Sequence, residues 1–309
     1  MPHQESNNFS APSEAHNFSA LLFDMDGTII DSTPAIVKYW KALGKQIGVD
    51  GDYILETSHG RRSVDVLAIH APHLANWEYV CKAEGQIPLD YGHDAIEVPG
   101  SRALLDQLEK VGAPWAIVTS GTKPLVTGWL NVMKLAFPKN MVTAEEVQKG
   151  KPDPACYQLG AKRLGKANAD PNEILVLEDA PAGVRAGKAA GFKVVALATT
   201  HRIDQLRDAG ADWIVRDMRS VTMTGRDAKT GIVGIEISDA LVARNALQAL
   251  ANAVVLKISN RIKVAISLNA VPASPPHVRE HSHTLSRITQ LHGNFSNIGG
   301  GSDLMYHRL

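Results

Sequence analysis

The sequence predicts an α/β fold: a parallel β-sheet covered by helices on both faces, with a helical segment inserted early in the chain. Three observations lead there. From about residue 19, short apolar runs of strand length alternate with helical stretches. Several of those runs end in a polar or charged group, which is where open α/β sheets carry their chemistry. The interval at residues 36–98 is too long for an ordinary crossover and reads as short helices without strand alternation.

Taken in order, residues 1–18 are polar and carry Asn-Phe-Ser-Ala twice, starting at Asn8 and Asn17. They lack the basic start and apolar core of a secretory signal and are expected to form a flexible leader. Strands are expected at 20–24, 114–119, 174–178, 194–198 and 212–215, and helices at 34–46, 123–134, 155–164, 182–190 and 203–209. Such alternation argues for strands buried on both faces of a parallel sheet. Within the insert, Ala71-Pro72-His73 marks a break, and Val98-Pro99-Gly100 returns the chain to the main body. Residues 245–309 hold only two acids, Glu280 and Asp303, against six Lys/Arg and five histidines. With Pro-Ala-Ser-Pro-Pro and Gly-Gly-Gly also present, residues 241–309 are expected to be an atypical, poorly ordered tail. Its histidines have no thiol or acid arranged around them, so no metal site is expected there.

Composition bounds the function classes. The chain has 309 residues, 44% of them hydrophobic, enough for one sizeable domain and an insert. Lys+Arg and Asp+Glu both number 32, which removes the electrostatic reason to expect nucleic acid or an anionic membrane as partner. No apolar run approaches the ~18 residues of a membrane span. Two cysteines, Cys81 and Cys156, suit a reducing compartment, so a cytoplasmic protein is expected, monomeric or weakly self-associating.

Asp24-Met25-Asp26-Gly27-Thr28 follows the apolar run Ala20–Phe23. Two carboxylates two residues apart at a strand end share a side. Gly27 lets the chain bend away, and Thr28 supplies a hydroxyl to orient a carboxylate. Unscreened acids this close repel one another, so a cation should accompany them, in the first instance a metal ion. Three more segments have a similar layout. Ala116-Ile117-Val118 ends in Thr119-Ser120-Gly121, and Ile174–Leu177 ends in Glu178-Asp179. Between them, Gly150-Lys151-Pro152-Asp153-Pro154 holds a lysine in a stiff turn before a helix.

In this order the four segments resemble the motifs of the haloacid dehalogenase-like hydrolases, mainly phosphatases with an aspartate nucleophile, over about residues 19–240. Thr57–Asp65, Ile87–Gly92, Ile96–Gly100, Glu178–Gly183 and Ala198-Thr199-Thr200 are similar to the fungal glycerol-3-phosphate and 2-deoxyglucose-6-phosphate phosphatases. The resemblance implies a Rossmann-like core at 19–35 and 99–240 with a small helical cap domain at 36–98. It implies a small phosphorylated metabolite as substrate, Asp24 as nucleophile and Asp26 as general acid and then base. Thr119 and Lys151 complete the catalytic set, with Thr28, Ser120 and Gly121 around the phosphoryl group. Mg2+ is implied as cofactor, held by Asp24, the backbone carbonyl of Asp26, Asp179 and, directly or at one remove, Glu178. In the cap, His59, Gly60 and Arg62 match the relatives' substrate loop. Gly60 allows close backbone approach, while Arg62 either grips substrate hydroxyls or pairs with Asp65, and Arg61 is expected to be solvated.

Two alternatives stay open. Sugar phosphomutases of this fold carry a histidine about twelve residues after the nucleophile, where this chain has Ile36. A silent binding or regulatory protein on the same fold is the other, motivated by the unfamiliar tail.

Overall fold

The computed structural model describes residues 8–58 and 60–242. The expectation for His59 and that for the tail beyond Val242 lie outside the described residues. In chain order, β1 (Glu14–Phe18) and β2 (Ala20–Phe23) lead through a turn to β3 (Ile30–Asp31). Four helices follow, α1 (Thr33–Ile47), α2 (Gly51–Ser58), α3 (Ser63–His70) and α4 (Trp77–Tyr91), and the chain returns at β4 (Ile96–Glu97). Next come α5 (Ser101–Lys110), β5 (Trp115–Val118), α6 (Lys123–Met133), β6 (Met141–Val142), α7 (Ala155–Arg163) and β7 (Ile174–Glu178). Then α8 (Pro181–Ala189), β8 (Lys193–Leu197), α9 (Ile203–Asp208) and β9 (Trp213–Val215) precede the hairpin β10 (Val221–Arg226) and β11 (Val233–Ile237).

Six strands form one parallel sheet in the order β6-β5-β2-β7-β8-β9. From β2 the chain fills one side with β5 and β6, then crosses back to build β7, β8 and β9 on the other. The strand order therefore reverses beside β2, and a crevice opens at the carboxyl ends of its neighbours. Both sheet faces are apolar, as expected of central parallel strands. Leu21 and Phe23 of β2 join Ile117, Leu175 and Leu177 in one core. Ala20 and Leu22 join Val118, Val176 and Val194 in the other. Proline stands in the first turn of α1, α6 and α8, where its missing N–H costs no helical bond.

The insert has a small core of its own, in which Trp40, Leu43, Ile54, Val66, Leu67 and Val80 pack together. The two connections to it are zipped side by side, because β3 pairs antiparallel with β4, Ile30 opposite Glu97. The expected boundary between residues 35 and 36 falls inside α1, which starts at Thr33. Among the described residues, no helix is long and apolar enough to cross a membrane.

The leader is not uniformly flexible. Residues 14–18 form β1, which pairs antiparallel with β11 from Glu14↔Ile237 to Phe18↔Val233 in a three-stranded sheet ordered β1-β11-β10. Polar composition misled here because the strand's backbone groups are satisfied by a partner more than 200 residues away, which no local pattern announces. β10 and β11 are absent from the expected strands too, although buried Val233, Ile235 and Ile237 alternate with half-buried Gly234 and Glu236 at the period of a strand. Phe18 is 2% exposed within the main core. Phe18→Ala is expected to cost about 3 kcal/mol or more, a fall in Tm of roughly 6–12 °C for a domain of this size. Thermal unfolding followed by circular dichroism checks this; an unchanged Tm would restore the flexible leader.

Candidate active site

The first acid is held by the sheet itself. Asp24 continues β2 for one residue, its N–H donating to the Leu177 carbonyl at 3.0 Å, which fixes its side chain at the mouth of the crevice. The chain then turns sharply, and the Met25 carbonyl accepts from the N–H groups of Ile29 at 2.9 Å and Ile30 at 3.2 Å. Gly27 makes that turn with φ of 90°, and a Cβ there would collide with the Asp179 carboxylate. Asp26 ends with Oδ1 accepting from the Ser32 hydroxyl at 2.6 Å.

Lys151 is the electrostatic centre. Its ammonium donates to Asp24 Oδ1, to Glu178 Oε1 at 2.6 Å and to the Val118 carbonyl at 3.2 Å. Burial opposes its charge, yet the Asp24 and Glu178 carboxylates hold its pKa above the ordinary lysine value. Glu178 is fully engaged. Oε1 also accepts from Tyr157 Oη at 2.8 Å, and Oε2 accepts from the N–H groups of Asp179 at 2.9 Å and Ala180 at 3.0 Å. Asp179 accepts from Thr28 Oγ1 at 3.2 Å and from the Thr200 hydroxyl.

One oxygen from each of Asp24, Glu178 and Asp179 lies within 4.8 Å of the others, and all three acids are buried. Against these carboxylates stands one lysine, so the cluster is short of positive charge. Burial, offset in part by Lys151, raises Asp24 well above the usual carboxylate range. Burial and then the charge of Glu178 push Asp179 up to about 8. An all-oxygen donor set with excess negative charge fits a hard divalent cation such as Mg2+. The Asp26 carboxylate stands outside the three-acid cluster and is bonded to Ser32. It too is raised, chiefly by burial, with Ser32 opposing.

Asp24, Asp26, Thr119, Ser120, Gly121, Lys151, Glu178, Asp179 and Gly60 all line one cavity of about 100 Å³ between the strand ends and the insert. Thr119 Oγ1 accepts from the Gly121 N–H at 3.0 Å, and Ser120 Oγ donates to the Gly60 carbonyl at 3.0 Å, joining strand-end loop to insert. Two residues offered as substrate ligands take their other expected role: Thr28 orients a carboxylate, and Arg62 pairs with Asp65. Thr28 is fully buried and serves Asp179 rather than the cavity. Arg62 is 6% exposed and spends every N–H on the protein. Nε and Nη2 meet Asp65 at 2.7 and 2.8 Å, Nη1 meets the carbonyls of Val147 at 2.7 Å and Ala144 at 3.4 Å, and Nη2 meets that of Gln148 at 3.2 Å. With all five donors taken, Arg62 clamps the insert to the 144–148 segment and has nothing left for a substrate. Its neighbour Arg61 is exposed and lines the cavity instead.

Several cavity residues have no site role in the sequence reading: Ser32, Tyr39, Ser63, Glu84, Thr200 and His201. Ser63 and Thr200 stand within segments that carry the family resemblance, and Thr200 lies shortly after the end of β8. Glu84 sits mid-helix in the insert, 3% exposed, and accepts from Ser63 Oγ at 2.5 Å and the Thr122 N–H at 2.7 Å. Burial pushes it up to about 7 against those two bonds.

Comparison with known proteins agrees with this geometry. A family model described as haloacid dehalogenase-like hydrolase matches residues 18–191. The chain is 40% identical over 235 residues to glycerol-1-phosphate phosphohydrolase 2 of Saccharomyces cerevisiae, covering 74% of this chain and 94% of that protein. It is 34% identical over 236 residues to 2-deoxyglucose-6-phosphate phosphatase 2 of the same yeast, covering 71% and 95%. Among solved structures, a hydrolase from Pseudomonas syringae superimposes with a TM-score of 0.55 at 28% identity, covering 65% of this chain and 94% of that one. Acids at strand ends, a matching family model and relatives of nearly the same domain length lead to one conclusion: the chain belongs to the haloacid dehalogenase-like hydrolases.

Proposed function

We propose that the protein is a Mg2+-dependent phosphomonoesterase of small polyol or sugar phosphates, with glycerol phosphate ahead of 2-deoxyglucose 6-phosphate. The observation that carries the reading is the pair Asp24 and Asp26, set on one turn beside Lys151 and facing a small cavity. Asp24 attacks phosphorus, the bond from phosphorus to the ester oxygen breaks, and Asp26 gives its proton to the departing alkoxide. The raised pKa of Asp26 suits that donor role. Asp26, now a carboxylate, takes a proton from water, whose oxygen attacks the aspartyl-phosphate and frees Asp24. Lys151 opposes the upward push that burial gives Asp24, favouring its ionised form, and offsets charge on the phosphoryl oxygens. Thr119 offers its hydroxyl and Ser120 its backbone N–H to those oxygens, while the Gly121 N–H and the Ser120 hydroxyl, bonded to Thr119 and to the Gly60 carbonyl, shape the loop around them. Asp24, Asp179 and the Asp26 carbonyl would hold Mg2+, which adds positive charge at the transferring group. Glu178, with both oxygens engaged, would serve it indirectly by fixing Lys151 and the Asp179 backbone.

Substrate size favours the smaller candidate. A cavity of about 100 Å³ is well below the roughly 300–1,000 Å³ of pockets that take drug-sized ligands. It suits a three-carbon ester better than a hexose phosphate. Ile36 lines this cavity where a mutase would carry an imidazole, which supports hydrolysis over phosphoryl return. The balance of Lys+Arg against Asp+Glu supports free metabolites rather than nucleic acid or membranes as substrates.

A phosphate-release screen over polyol, hexose and deoxyhexose phosphates tests the reading. Asp24→Asn should lower turnover by at least ~10³-fold and Asp26→Asn by ~10²–10⁴-fold; release at the parental rate would refute the roles given. Chelation with EDTA should abolish activity, and added Mg2+ should restore it. Gly183→Ala offers a sharper check, because the new Cβ would occupy the space of the Glu178 carboxylate. It should inactivate the enzyme as fully as a change at Lys151, although residue 183 touches no substrate.

A further inference from the structure

A second hollow, a groove of about 540 Å³, adjoins the catalytic cavity: Arg61, Lys151 and His201 line both. Pro181, Ala182 and Arg185 of α8 line the groove as well, and among the described lining residues Asp208 is its one acid. Arg61 belongs to the insert and Arg185 to the core, yet their segments meet. A Cβ at Gly60 would stand 3.0 Å from the Ala180 side chain and 3.9 Å from that of Ala182. Ala182 and Arg185 are three residues apart on α8 and so share a side of it. Both arginines are exposed, and among the described residues neither side chain has a hydrogen-bond or ion-pair partner. In this they differ from Arg62, Arg102, Arg163 and Arg202, each paired with a carboxylate. The groove therefore sets two unpaired guanidinium groups against one acid, while the cavity behind it sets Asp24, Glu178 and Asp179 against one lysine. The sign of the charge changes along the way in.

We propose that Arg61 and Arg185 form an anion subsite at the entrance, which holds the phosphate dianion in transit: the substrate's phosphate on its way to Asp24, and inorganic phosphate on its way out. The need for it comes from the cavity. A phosphate dianion nearing side chains with more carboxylates than cations is repelled, and fixed positive charge at the mouth reverses that field along the approach. A guanidinium also presents a planar fork of N–H donors that fits two phosphate oxygens at once, and it stays charged at every working pH. The subsite acts on capture and release of the anion and leaves the bond-breaking step to the residues around Asp24. This inference rests on the phosphatase reading above.

The test compares the full-length Mg2+-loaded enzyme with Arg61→Gln, Arg185→Gln and the double variant, and uses Lys139→Gln as a control. Lys139 lines a different groove with Pro114 and Trp115, at the amino end of β5 and so at the far end of the sheet. Neither arginine side chain bonds to the described protein, so melting temperatures should match the parent. At about 20 mM ionic strength, kcat/KM for glycerol phosphate should fall roughly threefold to tenfold in each arginine variant, with kcat within about twofold. In about 0.5 M NaCl, where charges are screened within a few ångströms, each should return to within about twofold of the parent. Lys139→Gln should match the parent at both salt concentrations. Glycerol phosphate carries a single phosphate, so a loss on it ties the subsite to the group that is transferred. The dissociation constant of inorganic phosphate, read by calorimetry at low salt, should rise about tenfold in the double variant. Losses undiminished in high salt, a fall confined to kcat, an equal loss in Lys139→Gln, or unchanged phosphate binding would overturn the subsite. A parent enzyme that cleaves no phosphate ester would overturn the phosphatase reading instead, and the calorimetric comparison, which needs no turnover, would still decide the subsite.

Discussion

The contact between the Lys151 ammonium and the carboxylates of Asp24 and Glu178 is what the rest of the site depends on. Taking charges out of water is costly, and a buried ion pair repays that cost only when its remaining lone pairs and protons are also bonded. Here they are. Glu178 uses both oxygens on Lys151, Tyr157 and two backbone N–H groups. The backbone N–H groups belong to Asp179 and Ala180, the two residues that lead into α8 at Pro181. Even Gly183 is explained by this arrangement, since only its missing Cβ leaves room for the Glu178 side chain.

A single lysine does not balance Asp24, Glu178 and Asp179; burial chiefly raises Asp24 and Asp179, and the neighbouring acids add to it. In the low-dielectric crevice that unpaired charge is unfavourable until a cation shares it. The cost of folding such a cluster is offset elsewhere. The two apolar cores on either face of the parallel sheet hold the four strand ends in register. Asp24 is positioned by a ladder bond to β7 and not by its own loop. Acids placed by a sheet have little freedom to relax apart, which is a physical reason for putting such chemistry at strand ends.

The insert is fastened to the core by polar contacts at three places. Arg62 reaches the 144–148 segment, and Glu84 accepts the Thr122 N–H at the start of α6. Between them, Ser120 bonds the Gly60 carbonyl. These three contacts frame the cavity. They set apart residues that hold the two halves together, such as Arg62, from residues that face the space between them, such as Arg61 and Tyr39.

The sequence by itself determined the parallel sheet and the chemistry at its edge. Continuous apolar runs such as Ile174–Leu177 are local signals, and the group that ends each run must emerge on one side of the sheet. Asp24, Thr119, Glu178 and Asp179 were legible for that reason. Tertiary structure alone decided which polar groups serve the protein and which face the cavity. Thr28 bonds Asp179 across 151 residues, and Lys151 meets Asp24 across 127. Arg62 is adjacent to Arg61 and chemically identical; its pairing with Asp65 is local, but its reach to three carbonyls more than 80 residues downstream emerges only in the fold. Glu84 sits mid-helix with no strand end to mark it, and β1 reads as a polar leader until β11 lies beside it. Hydrophobic periodicity is written within a few residues, whereas hydrogen-bond partners are chosen by groups the chain brings together only when it folds.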